Sequence, residues 1–257
     1  MVPQRRLSRP ESRHGRTATI ATGGGSIDVV LAGLRRMRIG YPLGFSNAYL
    51  VDADDGPAII DTGTAGALRR ILHGITDAGL TPRDVRHVAI THAHFDHAGT
   101  VARVALATGA SIWAHEADVA AVRTGIAGPL PTLEPPWIAA VMRHLPSPGW
   151  RGWPATNALV DGAVVAGDLL AIHNPGHTPG HTAYLWRAHG GVLFTGDTLT
   201  NFGRVRLVLF NGDWPATKVA ARRLAALDFD TVVFGHGPPI VGRATAQLRR
   251  DVERIAG

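Results

Sequence analysis

Within nine residues, Thr91-His92-Ala93-His94-Phe95-Asp96-His97-Ala98-Gly99, the chain places three imidazoles and a carboxylate. Imidazole nitrogen and carboxylate oxygen are the donors that zinc and related divalent ions accept. A lone histidine is an ordinary surface or core residue. Four donor side chains in His-x-His-x-Asp-His order, straight after the apolar run Val88-Ala89-Ile90, are not. An extended His92-Ala93-His94 puts both rings on one side of a strand, because strand side chains alternate with period two. Asp96 and His97 then require a turn. The expectation is a strand end with two ligands, followed by a loop with two more.

Further donors of the same types lie downstream, each where regular structure breaks. Asn174-Pro175-Gly176-His177-Thr178-Pro179-Gly180-His181 follows the strand-like run Leu169-Leu170-Ala171-Ile172. Its prolines and glycines mark a turn. Val192-Leu193-Phe194 leads through Thr195-Gly196 to Asp197, and Val232-Val233-Phe234 leads through Gly235 to His236. An apolar strand, a glycine, then a donor is how a rigid scaffold aims loop residues into one site.

On these residues the chain resembles the metallo-β-lactamase-fold hydrolase superfamily: the His92/His94/Asp96/His97 cluster, His177, Asp197 in Thr-Gly-Asp-Thr, His236 in Gly-His-Gly, and an upstream Asp61-Thr62-Gly63. The resemblance covers about 45–254. It implies an α+β fold, a four-layer αβ/βα sandwich of two packed β-sheets with outer helices. It implies two divalent metal ions, zinc ahead of iron or manganese. His92, His94 and His177 would hold the first, Asp96, His97 and His236 the second, and Asp197 would bridge them. A hydroxide shared by the metals would then attack the substrate at neutral pH. Asp96 would also pass a proton to the leaving group. Asp61 would orient a ligand or its loop through hydrogen bonds rather than bind metal. His181 would either do likewise or be a polar strand residue.

The substrate class this implies is a small carbonyl compound: an ester, a thioester or a lactone. The alternatives are a mono-iron oxidoreductase of the persulfide dioxygenase type, or a phosphodiesterase of the same fold. Members that cleave β-lactams with a Cys ligand differ, since the chain has no cysteine. Hydroxyacylglutathione thioesterases carry a helical segment after their last histidine, whereas 21 residues follow His236. Acyl-homoserine lactonases place a Tyr soon after the bridging Asp, where this chain has Thr198-Leu199-Thr200-Asn201.

The elements that must position these donors read as follows. A mixed stretch over 27–37 is a first strand or strand pair. Ala48-Tyr49-Leu50-Val51 and Ala58-Ile59-Ile60 flank an Asp-Gly turn and form a hairpin. Leu68, Ile71, Leu72 and Ile75 have helical spacing, with Gly79 ending the helix. A strand over 85–90 presents the histidine cluster, and helices are expected over 99–107, 116–123, 215–227 and 244–255. Strands are expected over 111–113, 163–165, 169–172, 182–186, 192–194 and 232–234. Between them, 124–155 is a Pro-rich insertion with one helix over 138–145. Its Trp137, Trp150 and Trp153 either wall a substrate pocket as a lid or simply cap the core.

Composition narrows the function further. The 257 residues are enough for one large α/β domain, taken as 27–257, and 45% of them are hydrophobic. The net charge of +6 invites a nucleic-acid reading, but residues 1–16 hold Arg5, Arg6, Arg9, Arg13 and Arg16 against Glu11. That accounts for +4 and leaves the rest nearly balanced. Residues 1–26 read as a flexible Arg/Gly-rich extension, and no nucleic-acid partner is expected. No apolar stretch follows Arg5-Arg6 and no run approaches the ~18 residues of a membrane span, so a cytoplasmic protein acting on a small molecule is expected.

Overall fold

The computed structural model describes residues 27–40, 46–127, 132–133 and 149–257. The 1–26 extension, the expected helix over 138–145 and Trp137 lie outside the described residues.

Seven strands form the first sheet: β1 (Ile27–Leu31), β2 (Leu34–Ile39), β3 (Ser46–Ala53), β4 (Gly56–Ile60), β5 (His87–Ala89), β6 (Ser111–His115) and β8 (Asn157–Leu159), in the order β1-β2-β3-β4-β5-β6-β8. Pairing is antiparallel from β1 to β4 and parallel from β4 to β8. The second sheet has the order β17-β16-β12-β11-β10-β9. Its strands are β9 (Val164–Val165), β10 (Leu169–His173), β11 (Thr182–Trp186), β12 (Val192–Phe194), β16 (Thr231–Val233) and β17 (Ile240–Val241). Only β12 and β16 run parallel. Two short ladders lie apart from these sheets: β13 (Leu199–Asn201) with β14 (Val205–Leu207), and β7 (Thr132–Leu133) with β15 (Phe210–Asn211). Through β7, part of the insertion is paired beside the segment that follows Asp197.

Strands such as β3, β12 and β16 bury both faces, which explains their continuous apolar runs. One side of the first sheet (Val30, Tyr49, Ile60, Ala89) packs on one side of the second (Leu169, Tyr184, Phe194, Val233). The other side of the first sheet is covered by α1 (Leu68–Asp77), α2 (Val101–Thr108) and α3 (Glu116–Thr124), with Ile71, Ile75, Val104 and Val122 pointing inward. Helices α4 (Trp214–Ala225) and α5 (Ala244–Ala256) cover the second, through Leu224, Leu248 and Val252. Leu248, Val252 and Ala256 are spaced by four, the period of a single helix face. The layers are therefore helix, sheet, sheet, helix, as the resemblance implied.

Most expected elements are present with shifted ends. The expected 85–90 strand is shorter, His87–Ala89, and the helix expected from Gly99 starts at Val101. Trp150 and Trp153 pack against the outer core of the first sheet, and their backbone amides donate to Gly125 O and Val122 O.

Candidate metal centre

The chain leaving β5 does not stay extended through the histidines. His94 N–H donates to His92 O at 3.1 Å, His97 N–H to His94 O at 3.1 Å, and Ala98 N–H to His94 O at 2.8 Å. The expectation of two rings on a strand end is corrected: His92 and His94 sit on a compact turn, so all four donors of the cluster come from one coil. Alternation could not show this, because it assumes an extended chain. Gly99 makes the coil possible, since a Cβ there would lie 2.0 Å from Phe95 O. Behind it lies the Asp61 turn. Thr62 N–H donates to His97 O at 2.6 Å, and Asp61 takes a left-handed φ of 60°, a costly conformation for a residue with a side chain.

Three ring nitrogens converge at the first group. His177 Nε2 lies 3.2 Å from His92 Nε2 and 2.9 Å from His94 Nδ1. Two of the opposite nitrogens are occupied. His177 Nδ1 donates to Phe210 O at 2.5 Å, and His92 Nδ1 meets Thr91 Oγ1 at 3.0 Å. A carbonyl only accepts, so His177 carries its proton on Nδ1 and turns a lone pair inward. Burial, reinforced by the neighbouring imidazoles, pushes His92 and His177 well below the usual histidine range. Burial also lowers His94. Burial thus disfavours the charged form of all three, and His177 turns its lone pair towards the other two.

The second group lies beside it. His97 Nε2 is 3.5 Å from Asp96 Oδ2 and 3.4 Å from His236 Nε2, and His236 Nε2 is 3.4 Å from Asp96 Oδ2. Asp197 stands between the groups, with Oδ1 3.3 Å from His97 Nε2 and Oδ2 3.1 Å from His236 Nε2 and 3.7 Å from His177 Nε2. Burial alone would raise the Asp197 carboxyl, but His236 and His97 hold it well below the usual range. Burial works against charging His97, yet Asp197, Asp96 and Asp61 together raise it well above its usual value.

All seven expected ligands thus lie in three overlapping groups: His92/His94/His177, His92/His97/Asp197 and Asp96/His97/His236, the donor atoms of each within 4.8 Å of one another. Asp197 Oδ1 is buried without a hydrogen-bond partner. A buried carboxylate oxygen without a hydrogen bond, 3.3 Å from His97 Nε2 and in a cluster that includes the inward-facing lone pair of His177, fits a divalent cation shared by these donors.

The two expected supporting residues are placed as follows. Asp61 Oδ2 accepts from His97 Nδ1 at 2.8 Å, and its Oδ1 accepts from Thr91 N–H at 2.8 Å. His181 Nε2 accepts the Asp197 N–H at 2.9 Å, and burial drives its pKa down to about 4. Gly196 and Gly235 precede donors because there is no room for more: a Cβ on Gly196 would sit 2.6 Å from His181 Nε2, and one on Gly235 2.1 Å from Asp197 Oδ1.

Several residues that hold the site escape sequence reasoning. Asn47 Nδ2 donates to Phe234 O and Gly237 O, Tyr49 Oη to Phe234 O, and Arg36 to Gly237 O. Asn201 N–H donates to His236 O. Asp118 accepts from both histidine-bearing loops. Their local sequence reads as ordinary strand and helix. The only available signal was a polar residue at a position the pattern would bury.

A family model described as the metallo-beta-lactamase superfamily matches residues 41–236. A hydroxyacylglutathione hydrolase from Rhodospirillum rubrum is 34% identical over 59% of the chain and 48% of its own length. The N-acyl homoserine lactonase AttM from Azorhizobium caulinodans is 31% identical over 62% of the chain and 61% of its own. The chain thus spans less than two thirds of either relative. Among solved structures, the MIM-2 metallo-beta-lactamase superposes with a TM-score of 0.65 at 22% identity, covering 91% of this chain and 82% of that one, a likeness of fold. The match to the family model takes in every donor from His92 to His236, and the chain belongs to the metallo-beta-lactamase superfamily.

Proposed function

We propose that the protein is a binuclear metal-dependent hydrolase of a small carbonyl substrate, an ester, thioester or lactone. One observation carries this reading: seven donor side chains fall in three overlapping groups, and among them Asp197 Oδ1 is buried without a hydrogen bond. His92, His94 and His177 would hold one ion, Asp96, His97 and His236 the other, with Asp197 shared and zinc the best match to the donors. Seven donors in overlapping groups exceed what a closed structural site for one ion uses. When bound, such ions lower the pKa of a water they share and polarise a substrate oxygen.

The remaining work belongs to the chain. Phe210 O and Asp61 hold the far nitrogens of His177 and His97, which keeps their Nε2 atoms facing inward. His181 fixes the backbone of Asp197. His92, His97, His177 and Asp197 are buried, whereas His94 and His236 are partly exposed, so substrate enters on their side. Asp96 lies on that side against His236 and is suited to carry a proton to the leaving group. The names of the relatives, a hydroxyacylglutathione hydrolase and an N-acyl homoserine lactonase, support the carbonyl class.

The test is a panel of ester, thioester and lactone substrates beside bis-p-nitrophenyl phosphate, run with metal analysis of protein purified without added metal. Turnover of a carbonyl substrate with about two zinc per chain supports the reading. Turnover of the phosphate diester alone makes the protein a phosphodiesterase. A single iron with oxygen uptake on a persulfide makes it a dioxygenase.

A further inference from the structure

Asp118, in the first turn of α3, belongs to none of the three donor groups, yet it is only 5% exposed. Its carboxylate accepts three hydrogen bonds: Ala93 N–H at 3.0 Å and Thr178 Oγ1–H at 2.7 Å on Oδ2, and Gly180 N–H at 2.8 Å on Oδ1. Ala93 lies between His92 and His94, and Thr178 directly follows His177. One side chain therefore holds both loops that supply the three-histidine group. The fit is close, since a Cβ on Gly180 would lie 2.6 Å from Asp118 Cγ.

The two loops come from different sheets. Residues 91–94 follow β5 of the first, and 174–181 join β10 to β11 of the second. The 2.9 and 3.2 Å separations between His177 and its two partners thus depend on how one sheet's loop sits against the other's. We propose that Asp118 is a positioning residue that ties the His92-His94 coil to the His177 loop and so sets the geometry of the three-histidine group for its metal ion. This rests on the reading of that group as a metal site. A carboxylate suits the task because both its oxygens only accept, and all three facing groups donate. In Asp118→Asn, whichever way the amide turns, its NH2 opposes a donor.

The test is zinc titration of the metal-free protein in competition with a chromophoric chelator, on wild type, His94→Ala, His236→Ala and Asp118→Asn. Wild type is expected to take up two ions, His94→Ala to lose one and His236→Ala the other. Asp118→Asn is expected to weaken, by about 10–100-fold, the ion that His94→Ala loses, and to leave the other unchanged. Unchanged affinities, equal weakening of both ions, or weakening of the His236-dependent ion alone would overturn the proposal. If Asp118→Asn does not fold, Thr178→Val, which removes one of the three bonds, is read by the same criterion with an expected loss of about tenfold. A wild-type chain that takes up no metal would instead defeat the metal reading itself.

Discussion

Asp197 is the residue on which the two donor groups meet. Its two oxygens face His97, His177 and His236, and its backbone is held by His181. Asp197→Ala is expected to abolish metal uptake at one or both positions and nearly all turnover, with an unchanged far-UV circular dichroism spectrum; full activity would contradict the shared role. Asp61 acts one bond further out. Asp61→Asn replaces one of two accepting oxygens with an NH2 that opposes either His97 Nδ1–H or Thr91 N–H, and metal affinity should fall about 10–100-fold in a chelator competition. At this scale the seven side chains that come together were legible because the His92–His97 cluster is unusual by itself and the three downstream segments, each weak alone, place the same donor types after apolar strands. Asp118 and Asn47 were not, because their roles exist only once distant segments meet: Asn47 bonds to carbonyls 187 and 190 residues away.

The elements deliver donors at their ends and are held there by polar contacts between sheets. Strand β3 supplies Asn47 and Tyr49 to the Phe234-Gly235-His236-Gly237 turn, and Thr200 and Asn201 of β13 hold His236 O. Tyr49→Phe removes a buried bond of 2.7 Å, but Phe234 O keeps its bond from Asn47. The acceptor is not left orphaned, so thermal unfolding of the metal-free protein should show a loss of about 0.5–1.5 kcal/mol rather than the larger penalty of an unpaired group. Strand identity was legible from runs such as Val192-Leu193-Phe194, which are buried throughout. The coil at His92-Ala93-His94 was not. Its bonds join residues two to four apart, a feature that period-two alternation does not test, and Gly99, which permits it, reads in sequence as a helix start.

At the scale of the whole molecule, two sheets with helices outside leave one edge where loops from both meet, and the donors lie there. Trp150 and Trp153 belong to the outer layer. Trp150→Ala is expected to cost about 1–3 kcal/mol in thermal unfolding, less than a fully buried indole, and to leave metal affinity within twofold. A changed substrate KM with unchanged stability would return it to the pocket. Family membership was legible from local motifs, but the substrate was not, since the donor side chains point to a metal and its chemistry and not to the shape of what surrounds them. Strand β7 pairs with Phe210 and Asn211, and Phe210 O holds His177 Nδ1. The most direct measurement of the central claim is metal content and carbonyl-substrate turnover on the same preparation, before and after exhaustive chelation and then after adding zinc back. About two zinc per chain, activity lost with the metal and restored with it, is the expected result; activity undiminished in metal-free protein would contradict the account.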